Sequence, residues 1–298
     1  MRDVESMNND LEAPDGGRVW FVTGTSSGFG RALAEAVLEH GDRLIATARD
    51  TSTISDLART YPERARVLEL DVTDRDRVSV VLEEAVSSFG RLDVVVNNAG
   101  YGLRGALEEF SEEELRRQFE TNVFGVLGVT RAALPHLRRQ RSGHVVQMSS
   151  VGGVVSTVGG GVYAGTKFAV EGISEALAKE VAHLGIRVTI VEPGPFRTDF
   201  AGRSMRRAEP IKDYAESVGQ AHERFLAMDG AQPNDPARGA RAIIQAVEAP
   251  EPPLRLPLGE EALRMIRAKL EEQRRELDAW ERLSTTTAFT TGGPTGRE

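Results

Sequence analysis

Tyr163 and Lys167 lie four residues apart in Tyr163-Ala164-Gly165-Thr166-Lys167, with Ser150 thirteen residues upstream. On a helix, residues i and i+4 share a face, with Cβ atoms about 5–6 Å apart. A phenol is a poor acid or base near neutral pH unless its phenolate is stabilised, and an ammonium a few ångströms away does so. The pair is thus suited to giving a proton to an oxygen or taking one from it. Alone, the spacing also describes a surface helix with a snorkelling lysine, so its meaning depends on the elements that would hold it.

The apolar, β-prone run Arg18-Val19-Trp20-Phe21-Val22 leads into Thr23-Gly24-Thr25-Ser26-Ser27-Gly28-Phe29-Gly30 and then a helical stretch from Arg31 to His40. Strand, glycine turn, helix is the order a dinucleotide diphosphate requires. Gly24 suits a tight turn, Gly28 a close approach of main chain to phosphate, and Gly30 close packing of helix on strand. The helix N-terminus faces the anion. A second strand, Arg43 to Ala48, follows the helix stop at Gly41 and ends without a carboxylate; Arg49 comes next. At this place an acidic residue binds the ribose hydroxyls of NAD and a basic one the 2′-phosphate of NADP, and a planar guanidinium suits phosphate. NADP(H) is therefore expected over NAD(H). Asp50 is the alternative, because a loop shifted by one residue would place a carboxylate there.

With these two motifs in place, the chain resembles the short-chain dehydrogenase/reductase family from about Arg18 to Leu256, through segments that match in order. The resemblance implies a doubly wound α/β fold of Rossmann type, with about seven parallel strands and helices on both faces. It implies that Asp71 and Val72, after a third strand at Val67 to Leu70, border the adenine pocket. Asn98, Ala99 and Gly100 would close a fourth strand beside the cofactor. Pro193, Gly194, Phe196 and Thr198 would leave a sixth strand against the nicotinamide. Ser26, Ser27 and Phe29 join Gly24, Gly28 and Gly30 in the cofactor turn. Some NADP-preferring members carry a basic residue where this chain has Ser27, so the 2′-phosphate would rest mostly on Arg49.

The catalytic set implied is Asn122, Ser150, Tyr163 and Lys167. Tyr163 would act as general acid or base, and Lys167 would lower its pKa and hold the nicotinamide ribose. Ser150 would orient the substrate oxygen, and Asn122 would hold a water in the proton relay. The leading expectation is an NADP(H)-dependent oxidoreductase interconverting a ketone or aldehyde and an alcohol. The alternatives are an NADP(H)-binding sensor or scaffold without turnover and an isomerase or dehydratase that retains its cofactor.

Composition narrows the remainder. The 298 residues carry 37 Lys and Arg against 45 Asp and Glu, a net charge of −8 that argues against nucleic acid as a partner. There is no cysteine, so thiol and disulfide chemistry are excluded. The five histidines show no metal-ligand spacing, and no catalytic metal is expected. No membrane span or signal peptide is read, and a cytoplasmic location is expected.

One catalytic domain is expected over 18–258, with a polar arm at 1–17, a helical extension at 259–283 and a loose tail at 284–298. A lid at 196–232 holds Phe200, Met205, Tyr214, Phe225 and Met228, which would either form an apolar wall over a medium-sized, partly apolar substrate or pack the lid on the body. Tyr101 to Gly105 would face it. Leu263, Ile266, Leu270, Leu277 and Trp280 form an apolar stripe on the extension, for docking on the protein's own surface or on a neighbouring subunit. The resemblance implies a homodimer or homotetramer.

Overall fold

The computed structural model describes residues 17–200, 202 and 205–289, so the predicted arm lies outside the described residues except for Gly17. The first half of the chain alternates strictly. It runs through β1 (Val19–Val22), α1 (Gly28–His40), β2 (Arg43–Ala48), α2 (Ser55–Thr60), β3 (Ala65–Glu69), α3 (Arg75–Phe89) and β4 (Val94–Asn97). The second half adds β5 (Gly102–Arg104), α4 (Glu112–Phe119), a π-helical stretch (Glu120–Gly125), α5 (Val126–Gln140), β6 (Gly143–Met148), α6 (Gly161–Val181) and β7 (Ile186–Pro193). It closes with β8 (Met205–Arg207), α7 (Gln220–Ala227), α8 (Pro236–Glu248), β9 (Arg255–Leu258) and α9 (Glu260–Ser284). The third strand starts two residues before, and ends one before, the place predicted.

Seven strands form one parallel sheet in the order β3-β2-β1-β4-β6-β7-β9. β1 is buried at every position because helices cover both faces of a parallel sheet. Its side chains alternate accordingly. Trp20 and Val22 join Leu33, Val37 and Ile243 on the α1 and α8 face, while Val19 and Phe21 join Val78, Leu82 and Val129 on the α3 and α5 face. The order reverses between β1 and β4, and the carboxyl ends of those strands frame the crevice where ligands bind in such sheets.

The rim and lid are joined by main chain. β5 and β8 pair in parallel, Gly102 opposite Met205 and Arg104 opposite Arg207. Ile211 N donates to Glu109 Oε1 at 2.8 Å, and the Tyr214 hydroxyl is bonded to Glu108 Oε2 at 2.7 Å.

The C-terminal extension is helical, and most of it stands off the body. Ala262 is its one buried residue, and Leu277 and Trp280 are 73% and 63% exposed. Docking on the body is thus confined to the start of α9. Helical order continues through Ser284 into a turn at Thr285–Thr287, inside the stretch predicted as a loose tail; 290–298 lie outside the described residues. Among the described residues, no helix is long and apolar enough to cross a membrane.

Candidate active site

The glycine turn is built by close contact. Gly24 (φ +69) and Gly28 (φ +58) occupy the left-handed region that favours glycine. A Cβ on Gly24 would sit 2.9 Å from Ala99 Cα, and one on Gly30 would overlap the Gly24 carbonyl and Asn98 Nδ2. Asn98 Nδ2 donates to the Thr23 and Gly24 carbonyls, both at 2.9 Å, and the main-chain N–H groups of Asn98 and Ala99 donate to Thr23 Oγ1 at 3.0 Å. Asn98 and Ala99 therefore act first by fixing the turn. Thr23, which precedes the first glycine, was not singled out in the sequence and joins β1 to β4 here.

Asp74 and Asp235 cap α3 and α8 with their side chains, whereas Ser27 makes no capping bond to α1 and the first turn of α1 has no acidic residue. The leading N–H groups of α1 are left for an anion. Thr198 faces the turn, 3.6 Å from where a Cβ on Gly28 would lie, and the Phe29 and Phe196 rings meet edge-on at 4.7 Å. Pro193 ends β7, and Gly194 N donates to the Leu258 carbonyl at 2.9 Å. A turn too tightly packed for a Cβ at Gly24 or Gly30, leading to an open helix N-terminus, fits a dinucleotide diphosphate.

At the end of β2, Arg49 is exposed and makes no ion pair among the described residues. Asp50 Oδ1 accepts from Ser52 N at 2.9 Å and Ser52 Oγ at 2.6 Å, which holds its carboxyl below the usual range. The carboxylate that could have competed with Arg49 is thus turned into its own loop. Asp71 behaves alike, accepting from Thr73 N at 2.9 Å and Thr73 Oγ1 at 2.7 Å, while Val72 is buried against Gly125. Exposed Ser26 and half-buried Ser27 remain in the glycine turn.

The fold brings Ser150, Tyr163 and Lys167 together. Ser150, just beyond β6, accepts from Gly152 N at 3.0 Å, and a Cβ on Gly152 would lie 3.3 Å from both Ser150 Oγ and Tyr163 Cε1. Lys167 is buried, with Nζ donating to the Met148 carbonyl at 2.7 Å and lying 5.8 Å from the centre of the Tyr163 ring. Burial pushes the Tyr163 phenol up to about 12 and pulls Lys167 down to about 8. Burial is the larger effect on Tyr163 and the neighbouring Ser150 hydroxyl acts in the lowering direction, while the Lys167 ammonium is drawn to the Met148 carbonyl.

Asn122 sits in the π-helical stretch, fully buried. Its Oδ1 accepts from Tyr101 N at 3.1 Å, and its Nδ2 donates to the Tyr101 carbonyl at 2.9 Å and to Thr166 Oγ1 at 3.2 Å. Thr166 in turn donates to the Tyr163 carbonyl at 2.7 Å. Asn122 thus braces the rim against α6, and both Nδ2 protons are committed. A Cβ on Gly100 would lie 3.1 Å from Asn122 Oδ1. Tyr101 was expected only as part of the rim and Thr166 was not singled out, because their contributions are a peptide unit and a local hydroxyl.

The lid contributes Phe200, whose ring lies 5.5 Å from that of Tyr163, and Met205, which with Phe200 crowds the face of Gly102. The other three predicted wall residues point elsewhere. Tyr214 bonds Glu108, Phe225 lies under the Arg104 guanidinium at 4.5 Å, and Met228 is 49% exposed.

The sequence model of the short chain dehydrogenase family matches residues 18–209. Oxidoreductase BOA17 of Botryotinia fuckeliana is 39% identical over 91% of this chain and 99% of its own length. A 3-ketodihydrosphingosine reductase of Bacteroides thetaiotaomicron is 37% identical over 81% of this chain and 88% of its own. The crystal structure of a short-chain dehydrogenase from Streptomyces avermitilis superposes with a TM-score of 0.86 at 47% identity, covering 91% of this chain and all of that one. An alcohol dehydrogenase from Thermococcus sibiricus, complexed with 5-hydroxy-NADP, gives 0.66 at 26% identity, covering 81% and 94%. With its parallel sheet, its glycine turn and its tyrosine, lysine and serine brought to one place, the chain belongs to the short-chain dehydrogenase family of oxidoreductases.

Proposed function

We propose that this oxidoreductase uses NADP(H) to interconvert a ketone or aldehyde and the corresponding alcohol. The observation that carries the reading is the meeting of Ser150 and Tyr163 over Gly152, each 3.3 Å from where its Cβ would lie, beside buried Lys167 at the carboxyl end of β6. A nicotinamide cofactor supplies or accepts the hydride in such chemistry. Gly24, Gly28, Gly30 and the open end of α1 would hold its diphosphate, and exposed Arg49, with Asp50 bonded to Ser52, favours a 2′-phosphate.

Tyr163 is the group that exchanges a proton with the substrate oxygen. A phenol held near 12 is fully protonated at neutral pH, as donation to a carbonyl oxygen requires. Ser150 orients that oxygen, and Lys167 would hold the nicotinamide ribose and favour the phenolate left when Tyr163 gives up its proton. Any water held at Asn122 would bond its main-chain carbonyl, since both side-chain N–H groups are taken. Phe200 and Met205 beside the tyrosine favour a partly apolar substrate. The names of the reductase and alcohol dehydrogenase relatives point to the same reaction class.

The test is NADPH oxidation against aldehydes, cyclic ketones and long-chain ketones, with Tyr163→Phe as the paired protein. The variant should lose at least about 100-fold in kcat while its Kd for NADPH stays within about twofold of the parent. Normal turnover in the variant, or NADPH binding with no turnover across the panel, would contradict the assignment.

A further inference from the structure

One helical turn beyond Lys167 lies a second ionisable cluster that the proposed chemistry does not use. Glu171 on α6 is 6% exposed and Glu192 at the end of β7 is 1% exposed. Both approach one guanidinium from β9: Arg255 Nε donates to Glu171 Oε2 at 3.1 Å and lies 3.6 Å from Glu192 Oε1. Arg255 Nη2 donates to Glu175 Oε2 at 2.8 Å, and Glu175 also accepts from Lys179 at 2.9 Å. Glu171 Oε1 and Glu192 Oε1 are buried without a hydrogen-bond partner. The cluster adjoins the loop carrying Ser150, because a Cβ on Gly153 would overlap Ser149 Oγ and lie 3.1 Å from Glu171 Oε1. The charged groups facing the two carboxyls are Lys167, Glu175 and Lys179 from α6 and Arg255 from β9; the end of β6 contributes only the Ser149 hydroxyl.

One shared Nε cannot neutralise two buried carboxylates, and like charges gathered on one guanidinium nitrogen keep one proton between them. The electrostatics agree. Burial and then the charge of Glu171 push Glu192 up to about 7, and burial raises Glu171 as well. Lys167, pulled down by burial, is pushed back up by Glu171.

We propose that Glu171 and Glu192 share one proton and form a positioning pair whose remaining negative charge keeps Lys167 an ammonium at neutral pH. This rests on the role given to Lys167 above. As pH rises and the shared proton leaves, the pair gains a second negative charge and Lys167 holds its own proton more firmly. The pair therefore extends the alkaline range over which the lysine stays charged.

The chain has four lysines, Lys167, Lys179, Lys212 and Lys269, so protein labelled with carbon-13 at lysine Cε gives four resonances to titrate. Lys167→Met identifies the one that matters. In the parent, Lys167 should titrate near 8 with a further inflection near 7. In Glu171→Gln its midpoint should fall by about one unit, from roughly 90% to about half protonated at pH 7, and the alkaline limb of kcat/KM should move equally far. In Glu192→Gln the inflection near 7 should vanish, with the Lys167 midpoint between those of the parent and Glu171→Gln. A Lys167 midpoint in Glu171→Gln within about 0.3 unit of the parent would overturn the proposal. If that variant does not fold, an unchanged inflection in Glu192→Gln would do so. The titration needs no substrate, so an inert carbonyl panel would strike the functional reading alone.

Discussion

Replacing Gly30 by Ala tests whether the glycine turn is held by contact rather than by backbone freedom. The new Cβ would overlap the Gly24 carbonyl oxygen and Asn98 Nδ2, neither of which is the free end of a flexible chain. Relief requires the turn to move and both 2.9 Å bonds from Asn98 to lengthen. At about 1 kcal/mol net for each bond and about 1–3 kcal/mol for overpacking, the variant should lose roughly 3–5 kcal/mol. At about 2–4 °C per kcal/mol, Tm should fall by about 10 °C. Because the same displacement moves the main-chain donors that face an anion, NADPH should bind at least about tenfold more weakly, the loss of one charge-assisted bond of about 1.5–3 kcal/mol. Gly41→Ala is the contrast: its φ of +104 imposes strain, yet nothing lies within 4 Å of the added atom. It should cost about 1 kcal/mol and leave NADPH affinity unchanged. In Gly30→Ala combined with Asn98→Ala, the losses should be less than additive, since one of the two overlaps is removed. Calorimetric titration with NADPH and thermal unfolding decide it. A Gly30→Ala protein as stable as Gly41→Ala, with parental affinity, would refute the reasoning.

Further expectations follow from single residues. Arg49→Asp should shift cofactor preference towards NADH by at least about tenfold in the ratio of Kd values, the scale of one charge-assisted bond to phosphate; an unchanged ratio would mean that another group reads the phosphate. His144 is held at about 4, first by burial and then by the charges of Arg18 and Arg187. Its Nε2 lies 2.9 Å from Thr189 Oγ1, whose own proton goes to the Pro253 carbonyl, so the imidazole donates there from Nε2. An unfolded histidine titrates near 6.5, so the unfolded chain binds the extra proton between about 6.5 and 4. This contribution is complete above about 6.5 and lost as pH falls towards 4, about 2 kcal/mol of it between pH 7 and 5. Denaturant midpoints at those two pH values should show that loss in the parent and a smaller one in His144→Gln; equal slopes would remove His144 as the cause.

What was legible in the sequence was what one element encodes. β1 reads as a buried strand because all four residues are apolar, and the glycine turn follows it directly, so strand, turn and helix are specified within about two dozen residues. The same holds for Tyr163 and Lys167, whose spacing is a property of one helix. Features that need two distant segments were not legible. The pairing of β5 with β8 links residues about a hundred positions apart through three residues on each side, too short for any alternation to announce. The π-helical stretch at Glu120–Gly125 carries Asn122, which reaches Tyr101 and Thr166, neither of which marks itself by type. The fate of Asp50 was an intermediate case. Its register beside Arg49 was open in the sequence, and a serine two residues on settled where the carboxylate points.

Tyr163 shows why electrostatics resists a reading by spacing alone. Four residues on a helix bring an ammonium near a phenol, and from distance alone the phenolate should gain. The sign of a pKa shift, however, depends on what both groups lose when water leaves, and here each is pushed towards its neutral form, Tyr163 up to about 12 and Lys167 down to about 8. The groups that restore charge to Lys167 are Glu171 one turn on and Glu192 at the end of a different strand, both held by Arg255 on the last strand of the sheet. The proton chemistry of the site is therefore a property of where α6, β7 and β9 converge, and a tyrosine and lysine transplanted at the same spacing onto an exposed helix would not acquire it.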